Sequence, residues 1–107
     1  MNKMSHKNIK AEEFDKLSKE SNAVILDVRT PEEEVEGFIE GAKNINIMGP
    51  SFADEIKGLD REKMYLVYCR SGNRSGTACG FMSSNGFENL YNLEGGIQAW
   101  NQYTQSK

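Results

Sequence analysis

The stretch that decides the fold is Met64-Tyr65-Leu66-Val67-Tyr68, followed at once by Cys69-Arg70-Ser71-Gly72-Asn73-Arg74-Ser75. Its first half is apolar at nearly every position rather than at every second one, which predicts a strand covered by helices on both faces. Its second half is a short polar loop. The stripe Ala78, Phe81, Met82 beyond it predicts a helix from about Ser75 to Asn85, stopped by Gly86. Strand, tight loop and helix in that order put Cys69 at the carboxyl end of a buried strand, facing a helix N-terminus. In parallel α/β sheets that edge is where ligands bind.

The same alternation continues outward in both directions. Ala23-Val24-Ile25-Leu26-Asp27-Val28 is a second apolar, β-branched run, and Asn44–Ile47, Asn89–Leu93 and Asn8-Ile9 are weaker strand signals. Ala11, Phe14 and Leu17 recur at helical spacing. Thr30-Pro31-Glu32-Glu33 is a helix start, with Thr as N-cap, Pro at the first helical position and Glu closing a capping box; Gly37 ends that helix early. Gly95-Gly96 precedes a last helix in which Ile97 and Trp100 lie one turn apart. Strands separated by helices predict a parallel sheet with helices on both faces. The expected organisation is a flexible N-terminus over residues 1–7, one domain over 8–102 and a flexible tail over 103–107.

Composition narrows the function classes. The chain has 107 residues, the size of one domain, with 37% hydrophobic and 27% charged side chains. Sixteen acidic against 13 basic residues give a net charge of −3, which argues against nucleic acid as a partner. No apolar run is long enough to span a membrane, and the polar start has no secretory pattern. Two cysteines do not make a disulfide scaffold, and the single histidine, His6, rules out a recognisable zinc site. The expectation is a cytoplasmic protein, monomeric, with no metal, membrane or nucleic-acid partner.

The loop carries the chemistry. Gly72 and Asn73 tolerate unusual dihedrals, so successive backbone N–H groups can turn inward. The helix adds its positive end, and Arg70 and Arg74 add two full charges. Each feature favours the Cys69 thiolate, the nucleophilic form, and the same cradle suits an anionic sulfur or phosphorus substrate. A free cysteine is more often a small buried residue, but strand end, glycine, two arginines and a helix start within a few positions outweigh that reading.

These residues resemble the active-site loop of single-domain rhodaneses, the thiosulfate sulfurtransferases. Three further stretches are similar to the family's other motifs: Leu26-Asp27-Val28-Arg29-Thr30-Pro31-Glu32-Glu33, Gly37-Phe38-Ile39-Glu40-Gly41-Ala42-Lys43-Asn44-Ile45, and Leu93-Glu94-Gly95-Gly96-Ile97-Gln98-Ala99-Trp100. The likeness runs from about Ile9 to Trp100. Many relatives carry an aromatic residue where Glu34 stands, a His for Phe38 and a Pro for Glu40; none of these lies in the loop. The resemblance implies a three-layer α/β fold with a five-stranded, mostly parallel sheet. It also implies ping-pong sulfur transfer through a Cys69 persulfide without cofactor, from a small anionic donor such as thiosulfate or from a persulfide-donating protein. The acceptor would be cyanide in an assay and a thiol or protein in the cell.

Within that reading the amides from Arg70 through Ser71, Gly72 and Asn73 to Arg74 stabilise the persulfide, and Arg70 contacts the donor's oxygens. Arg74 turns back to brace the loop against a carboxylate such as Asp27. Arg29 either lines the pocket or pins the capped helix beside it. Two other classes remain open. Cysteine phosphatases and arsenate reductases use a Cys-x5-Arg cradle, but four residues separate Cys69 from Arg74, a smaller loop suited to a sulfane sulfur. A non-catalytic partner-binding or redox-sensing module often lacks the nucleophile, which this chain keeps. Cys79 reads as helix packing beside Met82, Trp100 as core, and Glu32-Glu33-Glu34 as a solvated helix start.

Overall fold

A computed structural model of the protein describes residues 5–106. Five strands form one sheet in the order β1-β5-β4-β2-β3, every neighbouring pair parallel. The strands are β1 (Lys7–Ile9), β2 (Ala23–Asp27), β3 (Lys43–Asn44), β4 (Met64–Tyr68) and β5 (Leu90–Leu93). The helices are α1 (Ala11–Leu17), α2 (Pro31–Val35), α3 (Phe52–Lys57), α4 (Asn73–Ser84) and α5 (Gly96–Gln105). The expected mostly parallel, five-stranded sheet is thus wholly parallel.

The central strand is β4, buried at all five positions. Its side chains divide between two cores, as strand alternation requires. Tyr65, Val67 and the following Cys69 join Ala78, Cys79 and Met82 of α4 and Ile56 of α3 on one face. Met64, Leu66 and Tyr68 join Phe14 of α1 and Ile97 of α5 on the other. Continuous apolarity in β4 is therefore the signature of a strand with two cores to fill.

Most elements fall where the pattern places them. The Thr30 capping box is complete, with Glu33 N–H donating to Thr30 Oγ1 at 3.3 Å and Thr30 N–H to Glu33 Oε1 at 3.1 Å. Other elements differ. α3 has no counterpart in the sequence reading: it is six residues long and buries only Ile56, with the Phe52 ring packed at a tilt against Phe81 at 5.6 Å. A single i, i+4 apolar pair is too little period to register. The strand expected over Asn44–Ile47 is centred earlier, at Lys43–Asn44, although Ile45 and Ile47 still donate to Asp27 and Val28 carbonyls at 2.9 and 3.1 Å. α4 starts at Asn73, earlier than Ser75, because Gly72 serves as its N-cap.

The terminal boundaries also shift. β1 already includes Lys7, paired with Tyr91, and residues 1–4 of the expected flexible N-terminus lie outside the described residues. α5 runs to Gln105, three residues into the expected tail, while residue 107 lies outside the description. The physical reason is Tyr103: its ring packs on Trp100 at 5.7 Å and its hydroxyl donates to Asp15 Oδ2 at 2.8 Å, tying the helix end to α1.

Candidate active site

Cys69 follows the last residue of β4, and its loop is fixed by a turn at Gly72 and by the first turn of α5. Gly72 adopts φ +108°, the left-handed region, and so turns the chain into α4 at a position where a side chain would be strained. Gly96 lies so close beneath the loop that an added Cβ would sit 2.3 Å from the Arg70 carbonyl oxygen and 2.6 Å from that of Cys69. Those two carbonyls accept from Gln98 and Ile97 N–H at 3.4 and 2.9 Å, so the first turn of α5 anchors the loop's entry. Gly96 is thus a packing requirement of the nucleophile's loop, whereas a side chain on Gly95 would meet Ala99 of α5.

Donors converge on the sulfur. Gly72 N–H approaches Cys69 Sγ at 3.1 Å and the Ser75 hydroxyl approaches at 3.3 Å. Cys69 is 1% exposed, and burial alone would push its thiol up. The Ser75 hydroxyl and the backbone amides of Ser75, Gly72 and Ser71 outweigh that burial and hold the thiol below its ordinary value. Ser71, Gly72 and Ser75 are thus donors to the thiol, and the first two belong to the expected run of amides from Arg70 to Arg74. Ser75 has no role in the sequence reading, although it closes the quoted loop; its place on the first turn of α4, six residues after Cys69, is the available signal.

The arginines take different parts. Arg74 does brace the loop, but its partner is Glu33, not Asp27. The pair is bidentate, Nη1 to Oε1 at 2.7 Å and Nη2 to Oε2 at 2.8 Å. Arg74's hydrogen bonds, together with those of Thr30, hold the Glu33 carboxyl at about 2 despite partial burial. The capping-box glutamate of α2 is therefore also the anchor of the nucleophile loop. Asp27 is unavailable to Arg74 because Arg29 and Tyr68 occupy it: Arg29 Nη2 and Nε donate at 2.7 and 3.0 Å, and the Tyr68 hydroxyl at 2.9 Å.

Arg29 reaches both the helix beside it and a cleft next to the loop. It pins the α2 region by donating to the Glu33 carbonyl at 3.3 Å and the Gly37 carbonyl at 2.6 Å, and it also lines a cleft of about 240 Å³. At 4% exposure with Asp27 against it, its charge is spent inside the protein. Burial opposes the guanidinium charge, yet Asp27 outweighs burial and raises its pKa. Arg70, by contrast, is exposed, lines the same cleft with Glu36, Gln98 and Asn101, and has no ion-pair partner among the described residues. Cys69 does not itself line this cleft; its neighbour Arg70 does. Asn73 starts α4 and borders a second, smaller hollow with Ser71 and Gly72.

Cys79 is fully buried in the same core cluster as Cys69 and Met82, and burial pushes its thiol up to about 12. Both features fit its reading as a packing residue beside Met82. Trp100 packs its ring edge-on against Phe14 at 5.9 Å, a core contact. His6 approaches Ser5 Oγ through Nδ1 at 2.5 Å, away from the loop.

Comparison with known proteins agrees with this architecture. YtwF of Bacillus subtilis is 37% identical over 93 residues, 87% of each chain. A thiosulfate sulfurtransferase, GlpE of Pseudomonas putida, is 34% identical over 94 residues, 88% of this chain and 84% of that one. The crystal structure of a rhodanese-related protein from Thermoplasma volcanium superposes with a TM-score of 0.81 at 37% identity, covering 92% of this chain and 93% of that one. Residues 10–103 match the family described as the rhodanese-like domain, a span that holds α1 to α4, all but the last two residues of α5, the last four strands and the Ser71, Gly72 and Ser75 donors to Cys69. With 34–37% identity over most of their length to a sulfurtransferase and to a solved relative, these residues place the chain in the rhodanese-like domain family and support sulfurtransferase activity.

Proposed function

We propose that the protein moves a sulfane sulfur from a small anionic donor to a thiophilic acceptor through a persulfide on Cys69. The observation that carries this reading is the convergence of Gly72 N–H and the Ser75 hydroxyl on a sulfur whose thiolate is favoured despite burial. With thiosulfate as donor, Cys69 Sγ attacks the outer sulfur, a new S–S bond forms, and the donor's S–S bond breaks with its electron pair leaving on sulfite. An acceptor such as cyanide then takes the outer sulfur as thiocyanate, and the electron pair returns to Sγ. A cellular thiol or protein would be served by the same second step.

The residues divide the work by charge. The amides of Ser71, Gly72 and Ser75 hold negative charge on the sulfur as fixed dipoles, in the manner of an oxyanion hole. Arg70, exposed and without an ion-pair partner among the described residues, meets the donor's oxygens at the cleft. A cysteine only 1% exposed favours a slim donor that enters end-on. Free thiols at Cys69 and Cys79 fit a reducing compartment such as the cytoplasm.

Intact-mass spectrometry after incubation with thiosulfate tests the reading. The protein should gain about 32 Da, one sulfur atom, lose it to cyanide, and show no gain as Cys69→Ser. No gain with thiosulfate or with a small-molecule persulfide, alongside turnover of an aryl phosphate, would replace sulfur transfer with phosphate-ester hydrolysis.

A further inference from the structure

Behind the nucleophile lies a buried polar chain that the sulfur chemistry above does not use. Asn92, on β5 and 5% exposed, donates through Nδ2 to the Gly72 carbonyl at 3.1 Å and to Asn8 Oδ1 at 3.0 Å. Two acceptors on one side fix the orientation of its amide, so its Oδ1 points the other way, to the Ser75 hydroxyl. Ser75 is fully buried and carries one hydroxyl proton. That proton has two acceptors within reach, Asn92 Oδ1 and Cys69 Sγ. It serves one of them at a time.

We propose that Asn92 is a positioning residue that competes with Cys69 Sγ for the single proton of Ser75 and thereby sets how much of the sulfur is ionised. With Cys69 as a thiol, Ser75 donates to Asn92 and its oxygen is free to accept from S–H. When Sγ ionises, the Ser75 proton turns to the sulfur and Asn92 Oδ1 loses its donor in a site closed to solvent. Ionisation at Sγ therefore carries the cost of breaking the Ser75–Asn92 bond. A buried acceptor left without a donor is penalised, which makes the competition consequential. The other charged or titratable groups around the sulfur act independently of this proton. Arg74 and the Cys79 thiol, both on α4, interact with Cys69 through space. β2 presents Asp27 neutralised by Arg29, and β5 and α5 approach the loop with the uncharged Asn92, Leu93, Gly96 and Ile97.

The test is the pH midpoint of Cys69 alkylation by iodoacetamide, read by site-resolved mass spectrometry, in a double-mutant cycle of Asn92→Leu and Ser75→Ala. Leucine removes the acceptor without leaving space for a water. In the wild-type background Asn92→Leu should lower the midpoint by about one pH unit, tenfold more thiolate at a given pH, the scale of one charge-assisted hydrogen bond. Ser75→Ala alone should raise the midpoint, and Asn92→Leu added to it should lower the midpoint by about one pH unit less than it does with Ser75 present. Loss of the Asn92–Gly72 bond affects both backgrounds alike and cancels in the cycle. If circular dichroism shows Asn92→Leu unfolded, Asn92→Asp replaces it, and the midpoint should then rise more with Ser75 present than without. A shift of equal size in both backgrounds, or a rise in Asn92→Leu, overturns the proposal. None of these readouts depends on a sulfur donor.

Discussion

Replacing Gly96 with alanine tests the idea that the first turn of α5 holds the nucleophile's loop in place. The new Cβ would lie 2.3 Å from Arg70 O, 2.4 Å from Arg70 C and 2.6 Å from Cys69 O. Close C···O contacts in proteins sit at about 3.3–3.6 Å, so an overlap of roughly 1 Å must be relieved. The atoms in the way are backbone, with no rotamer to change. Relief of that kind costs about 1–3 kcal/mol, and an alanine at φ +62° adds about 1–2 kcal/mol. The total, about 2–5 kcal/mol, is a large part of a typical domain stability of about 5–15 kcal/mol. Thermal denaturation should show a midpoint lowered by at least about 8 °C. Because the displaced atoms belong to Cys69 and Arg70, sulfur loading should also slow by about 10²-fold. Gly41→Ala is the control: its φ is +88° but nothing lies within 4 Å of its Cβ, so it should cost only the backbone strain and leave loading intact. The reasoning fails if Gly96→Ala is no less stable than Gly41→Ala and loads sulfur at the wild-type rate.

Three other outcomes follow from the geometry. The Glu33 carboxyl lies at about 2 in the fold against an ordinary 4.5, so its contribution is present above about 4.5 and lost as pH falls to about 2. Urea denaturation should find Glu33→Gln less stable than wild type by about 1–2 kcal/mol at neutral pH, a gap discounted for the pair's partial exposure, and closing across that window. Asp27→Asn leaves the Arg29 charge buried without its partner and should cost about 3–5 kcal/mol by the same measurement, against less than 1 kcal/mol for an exposed neutral swap such as Gln102→Asn. Cys79→Ala should leave the rate of sulfur loading unchanged in a mass-spectrometric time course, since its buried thiol stays protonated to about 12.

What the sequence determined by itself is whatever depends on near neighbours in the chain. Continuous apolarity in Met64–Tyr68 announces a strand buried on both faces, and Thr30-Pro31-Glu32-Glu33 announces a capped helix start; both arise from local periodicity and local hydrogen bonds. The placement of Cys69 is equally local, since strand, loop and helix are contiguous there. Ser75 stood in that same loop, but its hydroxyl has a meaning only once Asn92, 17 residues away, is seen at its back.

What the tertiary structure alone decided is which charge meets which. Arg74 and Glu33 are 41 positions apart, and no spacing rule links them. Asp27 could have served Arg74 equally well on chemical grounds; it does not, because the parallel sheet brings the Tyr68 hydroxyl to it while Arg29 folds back over it. The end of α5 was set in the same way by a Tyr103 bond to Asp15, 88 residues distant. Local patterns specify elements because a helix turn or a strand pleat spans a few residues. Ion pairs and buried proton networks are closed by chain segments that only the packed sheet brings together, so they become visible only in three dimensions.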